Sequence, residues 1–216
     1  MSILLKPFWI KVISKQINQS NIRILDIGSG SHSASLTKKW IPNCHYTGID
    51  KDKNYNNTEL DLSRMDEFIQ LDLTKLQFDQ IPDNSYDLII MSHVIEHLHN
   101  GDEVLEGLMP KLKTAGIFYI EFPSEKSISF PSKRETLNFF DDLTHCRIYS
   151  LKEVCNILMK FDFRVIKAGK RRNLFNIAIM PLKIVVQLLT KGYVKGGVYW
   201  DFYGFADYVV ATKTAK

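Results

Sequence analysis

The stretch ILDIGSGS, residues 24–31, decides the fold predicted for this chain of 216 residues. An apolar run over Arg23–Ile27 is typical of a buried strand, and it leads directly into the turn Gly28–Gly30. A helix is then predicted over Ser33–Trp40. Glycines permit positive φ angles and close approach of a ligand to the backbone. This order of strand, glycine turn and helix therefore indicates a nucleotide-type loop, although a single Gly-x-Gly turn is weak evidence.

Acidic residues at the ends of the following strands strengthen this interpretation. Asp50 lies 24 residues after Asp26 and ends a second strand, where a carboxylate can accept both hydroxyls of a ribose. Asp72 ends a third strand, although a loop aspartate can also cap a helix. The carboxyl ends of adjacent parallel strands form the ligand crevice of a doubly wound sheet. We therefore expect Asp26, Asp50 and Asp72 to converge there.

Strand-like and helix-like segments alternate outward from this stretch, which predicts a parallel sheet covered by helices in one domain, 1–216. Predicted strands cover 23–27, 45–50, 68–71, 86–91, 117–122, 163–168 and 206–212, and predicted helices cover 8–17, 33–40, 94–112 and 149–161. Ala115 and Gly116 are expected to end the third of these helices.

Composition indicates an ordinary globular protein rather than a nucleic-acid-binding or disulfide-rich one. The net charge of +4 is mild, so a nucleic-acid partner is not expected. The three cysteines have no CxxC spacing, which argues against a zinc cluster or a disulfide framework. No secretory signal and no confident membrane span are recognised, so we expect a cytoplasmic location.

Five motifs together resemble the class I S-adenosylmethionine-dependent methyltransferases, and more closely the group of ubiquinone-biosynthesis-type O-methyltransferases. They lie between about residues 20 and 125, in the family's order and spacing. The motifs are LDIGSG at 25–30, YTGID at 46–50, LDL at 71–73, YDLIIMSHVIEHL at 86–98 and LKTAG at 112–116. The resemblance implies a Rossmann-like α/β fold with a seven-stranded, mostly parallel sheet, helices on both faces and an antiparallel last strand. It also implies S-adenosyl-L-methionine as cofactor.

The same resemblance implies which residues bind the cofactor. Asp26 and the turn residues Gly28, Ser29 and Gly30 would hold the methionine part. Asp50 would hold the ribose, and Lys51 beside it is included in the predicted site. Asp72 and Leu73 would contact the adenine, and His93 would lie under the sulfonium.

A dehydrogenase is the main competing interpretation, because it shares the glycine turn and the acidic residue after the second strand. The turn lacks the third glycine of Gly-x-Gly-x-x-Gly, since position 33 is serine. The second half of the chain also has no Tyr-x-x-x-Lys pair for hydride chemistry. A methyltransferase is therefore favoured. A non-catalytic module that binds the cofactor within a larger assembly stays open.

Histidines near the fourth strand leave three interpretations open. Glu96 and His97 could simply organise the start of a helix. His97 or His145 could be the base that removes a hydroxyl proton during O-methyl transfer. His93, Glu96, His97 and His145 could instead hold a divalent metal, in a pattern that resembles the small-RNA 3′-end 2′-O-methyltransferases. The predicted catalytic residues are His97 and His145, with no metal.

Two later segments are predicted to shape the acceptor side. Residues 124–147 are expected to form its rim or lid, and residues 170–203 to form an insertion between the last two strands. The basic cluster Lys170, Arg171 and Arg172 precedes an amphipathic stretch, so residues 170–195 could contact an anionic membrane. A lid over the active site or a dimer contact would fit equally.

The predicted reaction is O-methylation of a small molecule or of a saccharide or glycolipid intermediate. This preference rests on the segment 142–150, DLTHCRIYS, which resembles methyltransferases of surface-polysaccharide pathways. A quinone-type lipid and an RNA end are the alternative acceptors.

Overall fold

A computed structural model describes residues 6–16 and 21–214. The described chain contains one seven-stranded sheet in the order β3-β2-β1-β4-β5-β7-β6. The strands are β1 Arg23–Ile27, β2 His45–Asp50, β3 Glu67–Gln70, β4 Tyr86–Ser92, β5 Leu112–Pro123, β6 Phe163–Lys170 and β7 Ala206–Lys213. β1 to β5 pair in parallel, whereas β7 runs antiparallel to both β5 and β6. The predicted fold is confirmed.

The described part of the chain also contains eight α-helices. They are α1 Phe8–Ile13, α2 Ser33–Trp40, α3 Glu59–Ser63, α4 Gly101–Leu108, α5 Leu151–Lys160, α6 Leu174–Ala178, α7 Met180–Lys191 and α8 Trp200–Tyr203. Within these described ranges, none of the helices is long and apolar enough to cross a membrane. The predicted first helix, 8–17, ends earlier than expected, and Ile17 lies outside the described residues.

Alternating side chains of the strands build a separate core on each face of the sheet. Leu25 and Ile27 belong to a large cluster that includes residues of α4 and α5. Ile24, which precedes Leu25, points the other way into a second cluster that includes residues of α1 and α2. This division follows from the two-residue period of a strand. Burial on both faces explains why the central strands read as continuous apolar runs.

The prediction of one helix over 94–112 is wrong. That segment holds a 3-10 turn at Ile95–His97, helix α4 and a second 3-10 turn at Met109–Lys111. Pro110 cannot donate a backbone hydrogen bond, which works against a longer helix. Strand β5 starts at Leu112, and its register with β4 shifts between Tyr86 and Leu88. Ala115, expected at the end of a helix, therefore lies inside β5 with φ of +63°.

The direction of the chain across the sheet reverses between β1 and β4, which are neighbours. From β1 the chain proceeds outward to β2 and β3, then returns to β4 and continues to β5. At such a reversal the loops after the two central strands separate and leave a crevice at their carboxyl ends. This topology sets the position of the site described next.

Candidate functional site

A cavity of about 980 Å³ lies in this crevice and is the candidate site. It is lined by nine of the eleven predicted site residues: Asp26, Gly28, Gly30, Asp50, Lys51, Asp72, Leu73, His93 and His97. The other two, Ser29 and His145, do not line it. The fold therefore brings residues from the ends of β1, β2, β3 and β4 to one cavity, as the sequence predicts.

The glycine turn after β1 is shaped by packing against the loop after β4. Gly28 has φ of +75°, and a Cβ atom there would lie 2.4 Å from Val94 Cγ2. Only glycine fits this position without displacing a neighbour. Ser29 is fully buried, and its Oγ lies 2.5 Å from where a Cβ on Gly48 would be. Its side chain is directed into the sheet, which is why Ser29 does not reach the cavity.

The backbone N–H groups of this turn are used within the protein. Those of Gly28 and Ser29 both donate to the Ile49 carbonyl, at 2.8 and 3.0 Å. Ser31 N–H donates to the Tyr55 carbonyl at 3.1 Å. His32 N–H donates to the Asn57 side chain at 3.2 Å. A dinucleotide loop needs free N–H groups to cradle its pyrophosphate. In and just after this turn, four N–H groups are already hydrogen-bonded within the protein, which argues against the dehydrogenase interpretation.

Asp26 supplies a buried carboxylate at the base of the cavity and is 3% exposed. Its Oδ2 accepts hydrogen bonds from Tyr46 Oη at 2.6 Å and from Ser33 Oγ. Burial raises the pKa of Asp26 to about 6, against the opposing effect of these two hydrogen bonds, and Asp50 adds to the rise. A buried carboxylate of this kind favours a cationic ligand, because the positive charge stabilises the ionised form that burial disfavours.

Asp50 and Asp72 lie along the same cavity wall. Asp50 Oδ1 accepts the backbone N–H of Asp52 at 3.1 Å. Asp72 Oδ1 accepts the backbone N–H of Thr74 at 3.1 Å and its hydroxyl at 2.7 Å, and the side-chain bond from Thr74 lowers the pKa of Asp72. Asp72 therefore caps the 3-10 turn Leu73–Lys75, the alternative role considered for it, and also faces the cavity.

His93, Glu121 and Arg171 form a charged chain that the sequence did not predict. His93 Nε2 lies 3.1 Å from Glu121 Oε1, and Arg171 Nη1 donates to the same oxygen at 3.0 Å. Tyr119 Oη donates to the other oxygen of Glu121. All three charged side chains line the cavity. The available signal was an acidic residue, Glu121, inside the otherwise apolar strand segment 117–122.

Mutual attraction sets the charge states of this chain. Burial disfavours charged His93, but hydrogen bonds to Glu121 and Glu96 outweigh it and raise the pKa of His93 to about 9. Burial would raise the pKa of Glu121, but Arg171 and His93 lower it to about 2. At neutral pH the group therefore consists of two cations around one carboxylate. Arg171, grouped by sequence with a possible membrane-facing cluster, is directed into the cavity.

The side chains of Glu96, His97 and His145, called the histidine cluster below, meet at one end of the cavity. The rings of His97 and His145 are 4.8 Å apart between centroids. His97 lines the cavity with Thr144, whereas His145 lies behind it, packed on Phe139 at 4.6 Å. Its side chain is only 5% exposed. His145 can therefore act on a ligand only through a group between them.

The two segments predicted as rim and insertion pack against each other beside the cavity. Leu137, from the segment 124–147, shares a small core with Phe205 and with Trp200 of α8. Trp200 Nε1 donates to the Thr136 carbonyl at 2.6 Å, and its ring lies 5.1 Å from that of His93. Trp200 and Arg171 thus give the cavity a wall that the central sheet does not supply.

Comparison with known families matches residues 5–168 to a family of methyltransferase domains. A protein of Methanocaldococcus jannaschii, described as uncharacterized, is 29% identical over 158 residues, covering 68% of this chain. The chain spans 42% of that relative's length.

Solved structures with this fold include methyltransferases with diverse substrates. An S-adenosylmethionine-dependent methyltransferase from Mesorhizobium loti has a TM-score of 0.66 at 13% identity, covering 97% of this chain and 100% of that one. A phosphoethanolamine N-methyltransferase of Haemonchus contortus, in complex with S-adenosylhomocysteine, has a TM-score of 0.68 at 15% identity, covering 96% and 52%. The family match spans most of the chain and agrees with the sheet order and the carboxylate-lined cavity. The chain belongs to this family of methyltransferase domains.

Proposed function

We propose that the protein transfers the methyl group of S-adenosylmethionine to a hydroxyl oxygen of a small molecule, with a saccharide or glycolipid intermediate favoured. The observation that carries this proposal is one cavity shared by two different sets of groups. Three carboxylates line one part of it, and an imidazole with a fixed tautomer lines another. The first set suits the cofactor, and the second suits activation of a hydroxyl.

The carboxylates suit the polar groups of the cofactor. Asp50 is assigned to the ribose hydroxyls and Asp26 to the methionine ammonium, whose charge matches this buried carboxylate. Asp72 and Leu73 are assigned to the adenine. His93 carries a positive charge at neutral pH, because its pKa is about 9. A cation repels a sulfonium, and both ring nitrogens of His93 already contact Glu96 and Glu121, so we place the sulfur of the cofactor away from His93.

His97 is the group assigned to the acceptor hydroxyl. The Thr144 hydroxyl donates to Asp142 Oδ1 at 2.6 Å, so its oxygen accepts from His97 Nδ1, 2.9 Å away. The other ring nitrogen, Nε2, then keeps its lone pair. Without any further ligand, this nitrogen accepts the hydroxyl proton as the oxygen attacks the methyl carbon. The new C–O bond forms as the C–S bond breaks, and the sulfonium becomes a neutral thioether.

The wall formed by Trp200 and Arg171 supports a saccharide acceptor. An exposed indole face packs well against a sugar ring, and a guanidinium donates hydrogen bonds to ring substituents. Trp200 is partly exposed at the cavity. Buried Nε of Arg171 has no hydrogen-bond partner among the described residues. Arg171 lines the cavity, so its guanidinium can also donate to a polar group of the acceptor.

Calorimetry and a methyl-transfer assay test the proposal in separate steps. Asp50→Ala is expected to weaken S-adenosylmethionine binding by about 1.5–3 kcal/mol, the range for losing hydrogen bonds to a charged group. His97→Gln is expected to keep cofactor affinity and to lower turnover of a hydroxyl-bearing saccharide by about 100-fold or more. His99→Gln, at an exposed position two residues away, is the matched control. Unchanged affinity in Asp50→Ala, or full turnover in His97→Gln, contradicts the proposal.

A further inference from the structure

The histidine cluster has the donor set of a metal site. One ligand atom from each of Glu96, His97 and His145 lies within 4.8 Å of those from the other two. Two imidazoles and one carboxylate suit Mn²⁺, Fe²⁺, Co²⁺ or Zn²⁺ better than Mg²⁺ or Ca²⁺, which prefer all-oxygen ligands. Three protein ligands also leave open positions, as in catalytic rather than structural sites.

Hydrogen bonds fix both imidazoles in the tautomer that a metal needs. His97 Nδ1 donates to the Thr144 oxygen, because the Thr144 hydroxyl proton is committed to Asp142. His145 Nδ1 lies 2.6 Å from the Phe139 carbonyl, which can only accept, so this nitrogen also donates. Nε2 of His145 is 3.9 Å from Asp142 Oδ2, too far for a hydrogen bond. In the neutral form of each ring, the lone pair therefore lies on Nε2.

Glu96 provides a second, independent observation. The residue is 1% exposed, and its Oε2 is buried without a hydrogen-bond partner among the described residues. A buried carboxylate oxygen without a partner is costly, and a cation removes that cost. Its Oε1 is occupied by His93 Nδ1 at 3.2 Å, and His93 Nε2 faces Glu121. His93 has no free nitrogen and is therefore not a ligand, unlike in the four-residue set considered from the sequence.

The backbone holds the ligands together without an ion. The Glu96 carbonyl accepts the backbone N–H groups of Cys146 at 2.9 Å and of Arg147 at 3.2 Å. These bonds attach the segment that carries His145 to the turn that carries Glu96 and His97. Bound side chains would still draw closer, since ligands about 2.1 Å from one ion are about 3.0–3.4 Å apart.

We propose that Glu96, His97 and His145 bind a divalent first-row transition ion whose open positions face the cavity. The catalytic role of this ion rests on the function proposed above. The acceptor hydroxyl binds the ion and releases its proton to water, and its oxygen then takes the methyl group as the C–S bond breaks. In the loaded protein His97 holds the ion and no longer accepts the proton.

Titration of the full chain with Mn²⁺, after chelator treatment and without cofactor or acceptor, tests this site. Calorimetry and the electron paramagnetic resonance of free Mn²⁺ are expected to give one ion per chain. His97→Ala and His145→Ala should each weaken binding by more than about 100-fold. Thr144→Val, which removes the partner of His97, should weaken it by about 10-fold or more. Zn²⁺ should displace the Mn²⁺ and Mg²⁺ should not.

Exposed His99 gives the matched control, because His99→Ala leaves the cluster intact and should bind Mn²⁺ as the parent does. Circular dichroism checks that each variant is folded. The proposal is overturned if folded His97→Ala and His145→Ala both bind like the parent, or if the parent binds no ion. S-adenosylmethionine binding measured in excess chelator separates the two proposals. If it persists without any metal binding, the ion is excluded while the cofactor assignment stands.

Discussion

Asp26→Asn is expected to stabilise the protein while weakening its cofactor affinity. Asp26 is 3% exposed, and burial raises its pKa from 3.8 to about 6. Each pKa unit corresponds to about 1.4 kcal/mol, so keeping this carboxylate ionised costs up to about 3 kcal/mol above pH 7. Asparagine removes the charge and can still accept the hydrogen bonds from Ser33 and Tyr46. The variant should therefore gain up to about 3 kcal/mol at pH 7.5.

The gain should depend on pH with a definite sign. Because the pKa of Asp26 is higher in the folded state than in the unfolded state, the parent loses stability as pH rises from 3.8 to 6. Below 3.8 the carboxyl is neutral in both states, and the substitution no longer matters. The stability difference should accordingly fall from about 3 kcal/mol at pH 7.5 to about 1 kcal/mol at pH 4.5.

Urea unfolding at these two pH values measures the difference, and calorimetry measures S-adenosylmethionine affinity, which should fall by about 10-fold or more. Asp61→Asn is the matched control. Burial alone would raise the pKa of Asp61, but hydrogen bonds from Ser35, Thr58 and His32 outweigh it and lower that pKa well below its usual value. Asp61→Asn should therefore destabilise at pH 7.5. A gain for Asp26→Asn that is equal at both pH values would refute the reasoning.

Two further predictions concern the cavity wall and the outer helices. Glu121→Gln should destabilise by about 3 kcal/mol at pH 7, because the pKa of Glu121 falls from 4.5 to about 2 on folding. That stability is present above pH 4.5 and lost as pH falls through 2, so urea unfolding at pH 7 showing no loss contradicts the pairing. Leu182 and Leu189 of α7 are 65% and 82% exposed, so we expect weak sedimentation with anionic vesicles that high salt reduces only in part. Leu182→Ser with Leu189→Ser should abolish it, and equal sedimentation of this variant excludes the contact.

Sequence patterns predicted the parts of the fold that depend on local order and burial. The bounds of β1 and α2 agree with those predicted, because a continuous apolar run, a glycine turn and a helix signal follow one another there. The prediction of one helix over 94–112 failed because the apolar spacing of this segment fits a helix. Pro110 and the pairing of Leu112 with β4 end the helix early. Pairing with a distant strand is a tertiary effect that a local pattern does not contain.

The candidate site likewise contains residues that sequence patterns could predict and residues that depend on tertiary contacts. The convergence of Asp26, Asp50 and Asp72 could be predicted, because each lies at or near the carboxyl end of a strand and the topology gathers these ends at one edge of the sheet. Glu121 also lies near the carboxyl end of a strand, but the residues around it match no motif. Arg171 was grouped with Lys170 and Arg172 as an external basic cluster, because charge in a sequence carries no direction. Its inward orientation depends on Glu121, 50 positions away.

In the proposed function, the acceptor is recognised by a different part of the chain from the part that binds the cofactor. The family match ends at residue 168, and it covers every carboxylate assigned to S-adenosylmethionine. Arg171 and Trp200 lie beyond it, yet both line the same cavity. The Arg171–Glu121–His93 chain joins the two regions, since His93 directly follows the central strand β4 and Arg171 lies near the start of the insertion. We therefore expect a change in the insertion to affect acceptor binding directly and cofactor binding only through His93. For this reason Trp200→Ala should raise the KM for the acceptor far more than the dissociation constant for S-adenosylmethionine, a contrast that calorimetry and steady-state kinetics measure together.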